Sequence, residues 1–586
     1  MVTGGISRKG EKTNPTVQRA MSGMASPRNS FEVQIRHGGR WVTETIRDEE
    51  DEARALAVQL FSDKKCEGAR VIKNWLRPDG RMVETQIFSE TRVVKEEPAL
   101  RIGKIDSAPP RCGKIQDYYG FDSRGLMNRI FRTYLDKQVI TPIELVHNSR
   151  ELRRLQDKGT LVTAAIDRVA ALQTRDQPQD EKSRRDEIAK AVDEMVARAR
   201  KAEGRHLPKI GDDFGRAVSA ADPAGDAEER EFLAGTLLSR DLLGIRSWIG
   251  KLDRLCALAS AEADPRAMAW LDGAIADVLG TKVVEDLLGW RPSLGSAIRG
   301  MLDLADGIAG EEAGADSLEV LNRLFGERRL PLSRHTLIGR AHRQLRSAQP
   351  LYRNNPAKNL DELHRTAERL VTPTGLYSGA ETAEALTVRC GRMVEQGGSA
   401  GRWAAITQCF RTLPDRASGV IYLCDLARSH YADTHRGTMT GLFDLVLAAG
   451  NLGELCQRTL SPRDRMARAT AAHHAMENSP YPQALKDRVT RHIDGILDLY
   501  LLEEQIVERL DHPDSLLRDR AIRLVQFCAA GVLPEGKALT RARERVLSVL
   551  RQQSFDAHFV EGIPDPERAQ RTLRDFHRLL VKAGFR

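Results

Sequence analysis

A chain of 586 residues, 41% hydrophobic and 29% charged, has an ordinary globular make-up with room for roughly three to five compact units. Aromatics supply only 5%, so cores must be built from Leu, Ile, Val and Ala, which favours helices over sheets. The net charge of +8 is a small remainder of 90 basic and 82 acidic residues and does not by itself mark a nucleic-acid binder.

The first thirty residues carry Arg8, Lys9, Lys12, Arg19 and Arg28 against one acid, Glu11, and almost nothing to bury, so they read as a disordered basic tail. They hold no apolar stretch of the signal-peptide kind. Nowhere do roughly eighteen apolar residues follow one another, which argues against membrane insertion and for a soluble, cytoplasmic protein.

From Phe31 the pattern turns to period two. Phe31, Val33 and Ile35 alternate with polar residues, His37-Gly38-Gly39-Arg40 reverses the chain, and Trp41 to Ile46 returns. Asp48 is positioned to cap a helix running to about Asp63, with Ala53, Leu56, Ala57, Leu60 and Phe61 at helical spacing. A second hairpin runs from Ala69 to Trp75, turns at Arg77-Pro78-Asp79-Gly80, and returns from Met82 to Phe88. Residues 31–90 therefore form a ββαββ module, one helix covering one face of four strands. By alternation Trp41, Thr43 and Thr45 share one face and Val42, Glu44 and Ile46 the other, which either leaves Trp41 on the uncovered face with Val42 and Ile46 buried or packs the tryptophans into the core. Trp41 and Trp75 are the aromatic candidates for a module surface that stacks on RNA bases or docks a partner.

Prolines 98, 109 and 110 and weak periodicity make 91–116 a linker. Residues 117–203 read as a charged helical connector. Its last helix places Ile188, Val192, Met195 and Ala199 on one narrow stripe behind a Ser183–Asp186 capping box. Gly, Asp, Ala and Pro crowd 204–226, a flexible boundary before a more apolar body at 227–586. There, Asp264-Pro265 supplies an N-cap with proline in the first turn, Asp316-Ser317-Leu318-Glu319 opens a further helix, and Asp565-Pro566 opens the last, which ends at Gly584. Capped helices joined by short polar loops give the fold class: mainly α, a multi-helix bundle or irregular α-solenoid, with a small N-terminal α+β domain. His512 to Val525 resembles a helix of a HEAT-type repeat, without the further copies a repeat array needs.

The eight cysteines form no CxxC pair and sit mostly in apolar helical patterns, as reduced core residues do. His430, His435, His473 and His474 lack metal-binding spacing, and HExxH is absent. Gly397-Gly398-Ser399-Ala400-Gly401 lacks the preceding strand and following Lys-Ser or Lys-Thr of a phosphate loop, so it reads as a helix connection. GxSxG is absent too. Hence no catalytic residue, metal or cofactor is expected.

One segment stands apart. Arg328, Arg329, Arg334, Arg340, Arg343, Arg346, Arg353 and Lys358 occur with no acid before Asp361, as many positive charges as the whole net charge. On a helix starting near Ser333, Leu337, Ile338, Ala341 and Leu345 share one side and Arg340, Arg343 and Arg346 the opposite one. Arg334, Arg340, Arg343 and Arg346 are the candidate anion- or partner-binding residues, because the guanidinium fork suits phosphates and carboxylates. The expectation is a non-enzymatic scaffold or regulatory protein that binds a protein partner. A nucleic-acid or phosphate-ligand binder is the alternative, and a helical enzyme with a dispersed site the second alternative.

Overall fold

A computed structural model describes residues 29–37, 40–63, 66–76, 81–91, 100–105, 108–175, 177–222, 225–310, 316–353, 355, 357–393 and 398–585. The basic tail before Asn29, the turn at 77–80 and Gly397 lie outside the described residues. The chain divides into two compact units, Met1–Ala99 and Leu100–Arg586.

The first unit is the ββαββ module. Strands β1 (Asn29–His37), β2 (Arg40–Arg47), β3 (Gly68–Leu76) and β4 (Met82–Thr91) form one antiparallel sheet in the order β2-β1-β3-β4. Helix α1 (Glu50–Ser62) lies over the two central strands. Phe31, Val33, Ile35, Ala69 and Val71 bury their side chains with Ala53 and Ala57 beneath it. The N-cap is Glu49, without a side-chain bond, rather than Asp48, and Glu50, Asp51 and Glu52 place negative charge at the positive end of the helix dipole.

Val42 and Ile46 are not core residues: they are 53% and 58% exposed. A bulge explains the difference. Val33 pairs with Thr45 but Gln34 with Thr43, so Glu44 is an extra residue and the alternation slips there. Ile46 moves to the face opposite α1, while Val42, on the helix side, belongs to an edge strand outside the helix's cover.

The second unit is a mainly α body. The helices bearing on function are α2 (Phe121–Ile130), α3 (Pro142–Val146), α4 (Ser149–Gln156), α5 (Leu161–Thr174), α6 (Glu181–Glu203), α7 (Ala227–Leu242), α8 (Trp248–Ala261), α9 (Pro265–Leu279), α10 (Leu294–Ala305), α11 (Pro331–Arg346), α12 (Lys358–Leu370) and α13 (Ala380–Gly391). Asp264 caps α9 by accepting from the Ala267 amide at 2.9 Å, and Asp565 caps the final helix in the same way. The cap of α6 is Asp180, which accepts from the Ser183 amide, three residues ahead of the expected Ser183 box. The stripe of Ile188, Met195 and Ala199 is buried as its spacing predicts.

The described residues of 204–226 pack with their neighbours on both sides. A helix spans Phe214–Ala221 there with Phe214 wholly buried, and Glu229 of α7 reaches back to Arg198 and Arg205. One apolar core runs from Ile143 to Ala583, and a second gathers Ile105, Leu145, Leu155, Met195 and Phe232 around α2 to α6. Among the described residues no helix is long and apolar enough to cross a membrane.

Candidate functional site

Helix α2 is short and is held by polar anchors. Arg124 and Asn128, one turn apart, both turn toward α9: the Arg124 Nε donates to Asp277 Oδ2 at 2.9 Å, its Nη1 donates to the Tyr119 carbonyl at 2.6 Å, and Asn128 Nδ2 donates to the Asp277 carbonyl at 2.9 Å. Arg124 and Asp277 are both buried. Burial raises the Asp277 carboxyl above the ordinary range even with Arg124 beside it, so desolvation outweighs the pairing. Just beyond α2, Arg132 donates to the Gly280 carbonyl at 2.7 Å.

With α2 fixed in this way, Phe121, Asp122, Gly125, Asn128 and Arg129 line one side of a cleft whose other side is His335, Thr336, Gly339 and Arg343 of α11. Ala276, Asp277 and Gly280 of the α9 end form its floor, and the space measures about 170 Å³. Gly125 and Gly339 keep it open, since a Cβ added at Gly125 would meet nothing within 4 Å. Two guanidinium groups enter this space from opposite walls.

Most of the arginines expected on α11 are spent on structure. Arg334 pairs with Asp306 at 3.2 Å and lies 5.1 Å from the Tyr377 ring centroid. Arg340 donates to the Leu279 and Thr281 carbonyls and pairs with Glu285 at 2.7 Å, closing the C-terminal end of α9, where carbonyls have no helical partner. Arg346 donates to the Glu381 carbonyl at 3.1 Å and approaches Glu384 at 3.8 Å. Arg343 differs. Among the described residues neither Arg343 nor Arg129 has a hydrogen-bond or ion-pair partner, and both side chains are reached by solvent. Withdrawal from bulk water, reinforced by the charges of Arg129 and Arg340, pushes the Arg343 guanidinium down to about 10, and desolvation lowers Arg129 too. Among the described residues the two cations of the cleft therefore have no ion-pair partner, although the Asp122 carboxylate also lines it.

No known protein family, curated protein or solved structure matches this chain. Its chemistry rests on the residues themselves.

A second cavity, about 90 Å³, lies on another side of α2 between Tyr119, Arg124, His147 and the α7 and α9 residues Gly235, Trp270 and Gly273. His147 Nδ1 lies 2.9 Å from the Ile143 carbonyl, an acceptor only, so Nδ1 carries the proton and Nε2 is bare. Among the described residues Nε2 has no partner, and neither has the buried Tyr119 hydroxyl. Complete burial pushes the imidazole down to about 3, so it stays neutral under ordinary conditions.

The two module tryptophans do not share a surface. Trp41 pairs with Arg36 and lies on the face away from α1, with the Arg70 guanidinium 4.4 Å from its ring centroid. Trp75, in β3, alternates with Val71 and Lys73 and lies on the helix side. Around Trp41 the sheet face carries Arg70 donating to Gln34 at 2.7 Å and Gln34 donating to Glu32 at 2.9 Å, a polar network without a second stacking aromatic. His435 stacks on Trp403, and His430 projects into solvent beside Asp433. All eight cysteines are free, seven of them buried. Among the described residues no group of three potential metal ligands converges.

Sequence reasoning singled out Arg343 but missed Arg129, which lies just past the expected linker. The available signal was the spacing inside α2: Leu126, Met127 and Ile130 on one side, with Gly125 and Arg129 one turn apart on another.

Proposed function

We propose that this protein is a helical interaction protein whose body binds one phosphate-bearing ligand in the cleft between Arg129 and Arg343. The observation carrying this reading is selective pairing: the neighbouring Arg334, Arg340 and Arg346 are matched with acids or carbonyls, and the two arginines entering the cleft are not. An anion between them relieves their mutual repulsion and gains charge-assisted hydrogen bonds. Thr336, also in the lining, supplies a neutral donor.

The pairing also selects the kind of ligand. A nucleic-acid backbone is held by a track of unpaired cations that release counterions along their length. Here the flanking cations are neutralised, which favours a single phosphoryl group over a polymer. A fixed acidic side chain on a partner is the second occupant that two guanidinium groups suit, and it is separable by charge and shape.

Calorimetric titration with inorganic pyrophosphate tests the reading. One saturable site is expected, weakened at least about tenfold, the loss of one charge-assisted contact, by Arg129→Gln and by Arg343→Gln. Acetate at equal concentration should bind more weakly. Equal affinity in wild type and both variants refutes the assignment.

A further inference from the structure

The third side of α2 faces a different environment. Met127 and Ile130 of α2, Leu155 of α4, Ala165 and Val169 of α5, and Met195 of α6 line a partly open cavity of about 120 Å³ with Pro109, Pro110 and Cys112 on its margin. Protein interiors pack to the density of organic crystals, with few voids larger than a water molecule, so a space of this size lined mainly by aliphatic side chains stands out.

Gln173, Arg184 and Ser123 on its margin are already bound within the protein, while the exposed Asp122 and the half-buried Gln156 also line it. Gln173 Nε2 donates to the Pro109 and Pro110 carbonyls at 3.1 and 3.0 Å, and its Oε1 accepts from Arg184 at 2.8 Å. Arg184 also pairs with Glu187 at 2.8 Å. Ser123 Oγ donates to the Asp117 carbonyl at 2.7 Å and sits 3.1 Å from Cys112 Sγ. Water needs two to four polar partners to be held in such a space, and its almost wholly apolar wall offers few. A charged or strongly hydrogen-bonding ligand meets the same obstacle.

We infer that the α2–α4–α5–α6 cavity is a binding site for one small uncharged apolar molecule, a single ring or short hydrocarbon chain. Its size is close to that of the roughly 150 Å³ aliphatic cavity that stays dry and takes up benzene or xenon in an unrelated helical protein. The site is separable from the phosphate reading: the linings of the two spaces share only Asp122, and Arg129 and Arg343 do not line the apolar one.

The experiment uses the full chain and benzene as the probe. Thermal unfolding followed at increasing benzene should show a saturable rise in Tm, and 129Xe NMR a single slow-exchanging site. Ala165→Leu and Val169→Phe, which put carbon where the ligand sits, should abolish both signals while pyrophosphate binding persists. Arg343→Gln should leave the benzene effect intact. No saturable effect in wild type, or an undiminished effect in both filled variants, overturns the inference. If a filled variant does not fold, a size series in wild type decides: benzene binding with biphenyl excluded upholds the site, and equal response to both overturns it.

Discussion

Replacing His147 by Asn should remove a defined part of the protein's acid sensitivity. The native imidazole is held at about 3 by burial, whereas a histidine in an unfolded chain titrates near ~6.5. The group is 4% exposed, so solvent does not screen the shift away. Between pH 7 and pH 5 the unfolded chain takes up most of a proton that the native site refuses. Stability contributed by neutral burial is therefore complete above about pH 7, falls as pH drops through 6.5, and continues to fall until about pH 3. From pH 7 to pH 5 the loss integrates to about 1.9 kcal/mol for this one residue. Asn keeps a donor for the Ile143 carbonyl and does not titrate. Hydrogen exchange of the α3 and α7 amides, corrected for intrinsic rates at each pH, gives the opening free energy around the site. The wild-type value should drop by about 1.9 kcal/mol more than the His147→Asn value over that interval. Equal drops in the two proteins would falsify the assignment of His147 as a buried neutral base.

Gly235→Ala places a Cβ 2.3 Å from His147 Nε2, and overpacking of this kind costs about 1–3 kcal/mol; combination with His147→Ala should recover most of it, as thermal melts of the four proteins will show. Lys251 and Glu144 are paired with no exposure, and the other Glu144 oxygen accepts from the Thr141 amide and hydroxyl at 2.8 Å each. Lys251→Met should destabilise by about 3–5 kcal/mol by leaving that carboxylate uncompensated, and addition of Glu144→Gln should restore stability in urea titrations. Asp425, buried beside Arg428, is pushed up to about 6, chiefly by desolvation. Its native form holds a proton that the unfolded chain has released, so its contribution is present below about pH 4 and lost as pH rises through 6. Asp425→Asn should cancel about 2 kcal/mol of that decline between pH 4 and pH 8, and an unchanged pH profile refutes the shift.

Local patterning was legible where one face of one element carried the information. Leu337, Ile338, Ala341 and Leu345 of α11 and the Ile188 stripe of α6 are buried because helical spacing put them on one side. The β2 faces were misread because a single extra residue, Glu44, shifts the register, and no propensity marks it. For the arginines, spacing located the helix face but not the charges that remain free on it. Asp306, Glu285 and Glu384 arrive from other helices, and each neutralises one arginine that looked equivalent in sequence. Arg129 was invisible for the complementary reason: it belongs to the cleft only because α2 docks across α9.

That docking has an uncommon basis. The aliphatic side of α2 borders a void, so the helix gains less from apolar burial there than a close-packed helix of its length. Its position is fixed instead from the polar side, where Arg124 and Asn128 converge on Asp277 and Arg132 ties the following turn to the α9 end. Asp277 also accepts from the Ile143 amide at 3.1 Å, so one carboxylate links α2, α3 and α9. Its burial is costly in isolation, and a buried charge is tolerated only when its partners are held in place. The Arg124–Asp277 pair therefore helps hold α2 against α9, and with it the placement of Arg129 opposite Arg343, from the floor of the cleft. A change that loosens Asp277 should reach the cleft as altered spacing between the two arginines before it reaches the rest of the body as lost stability.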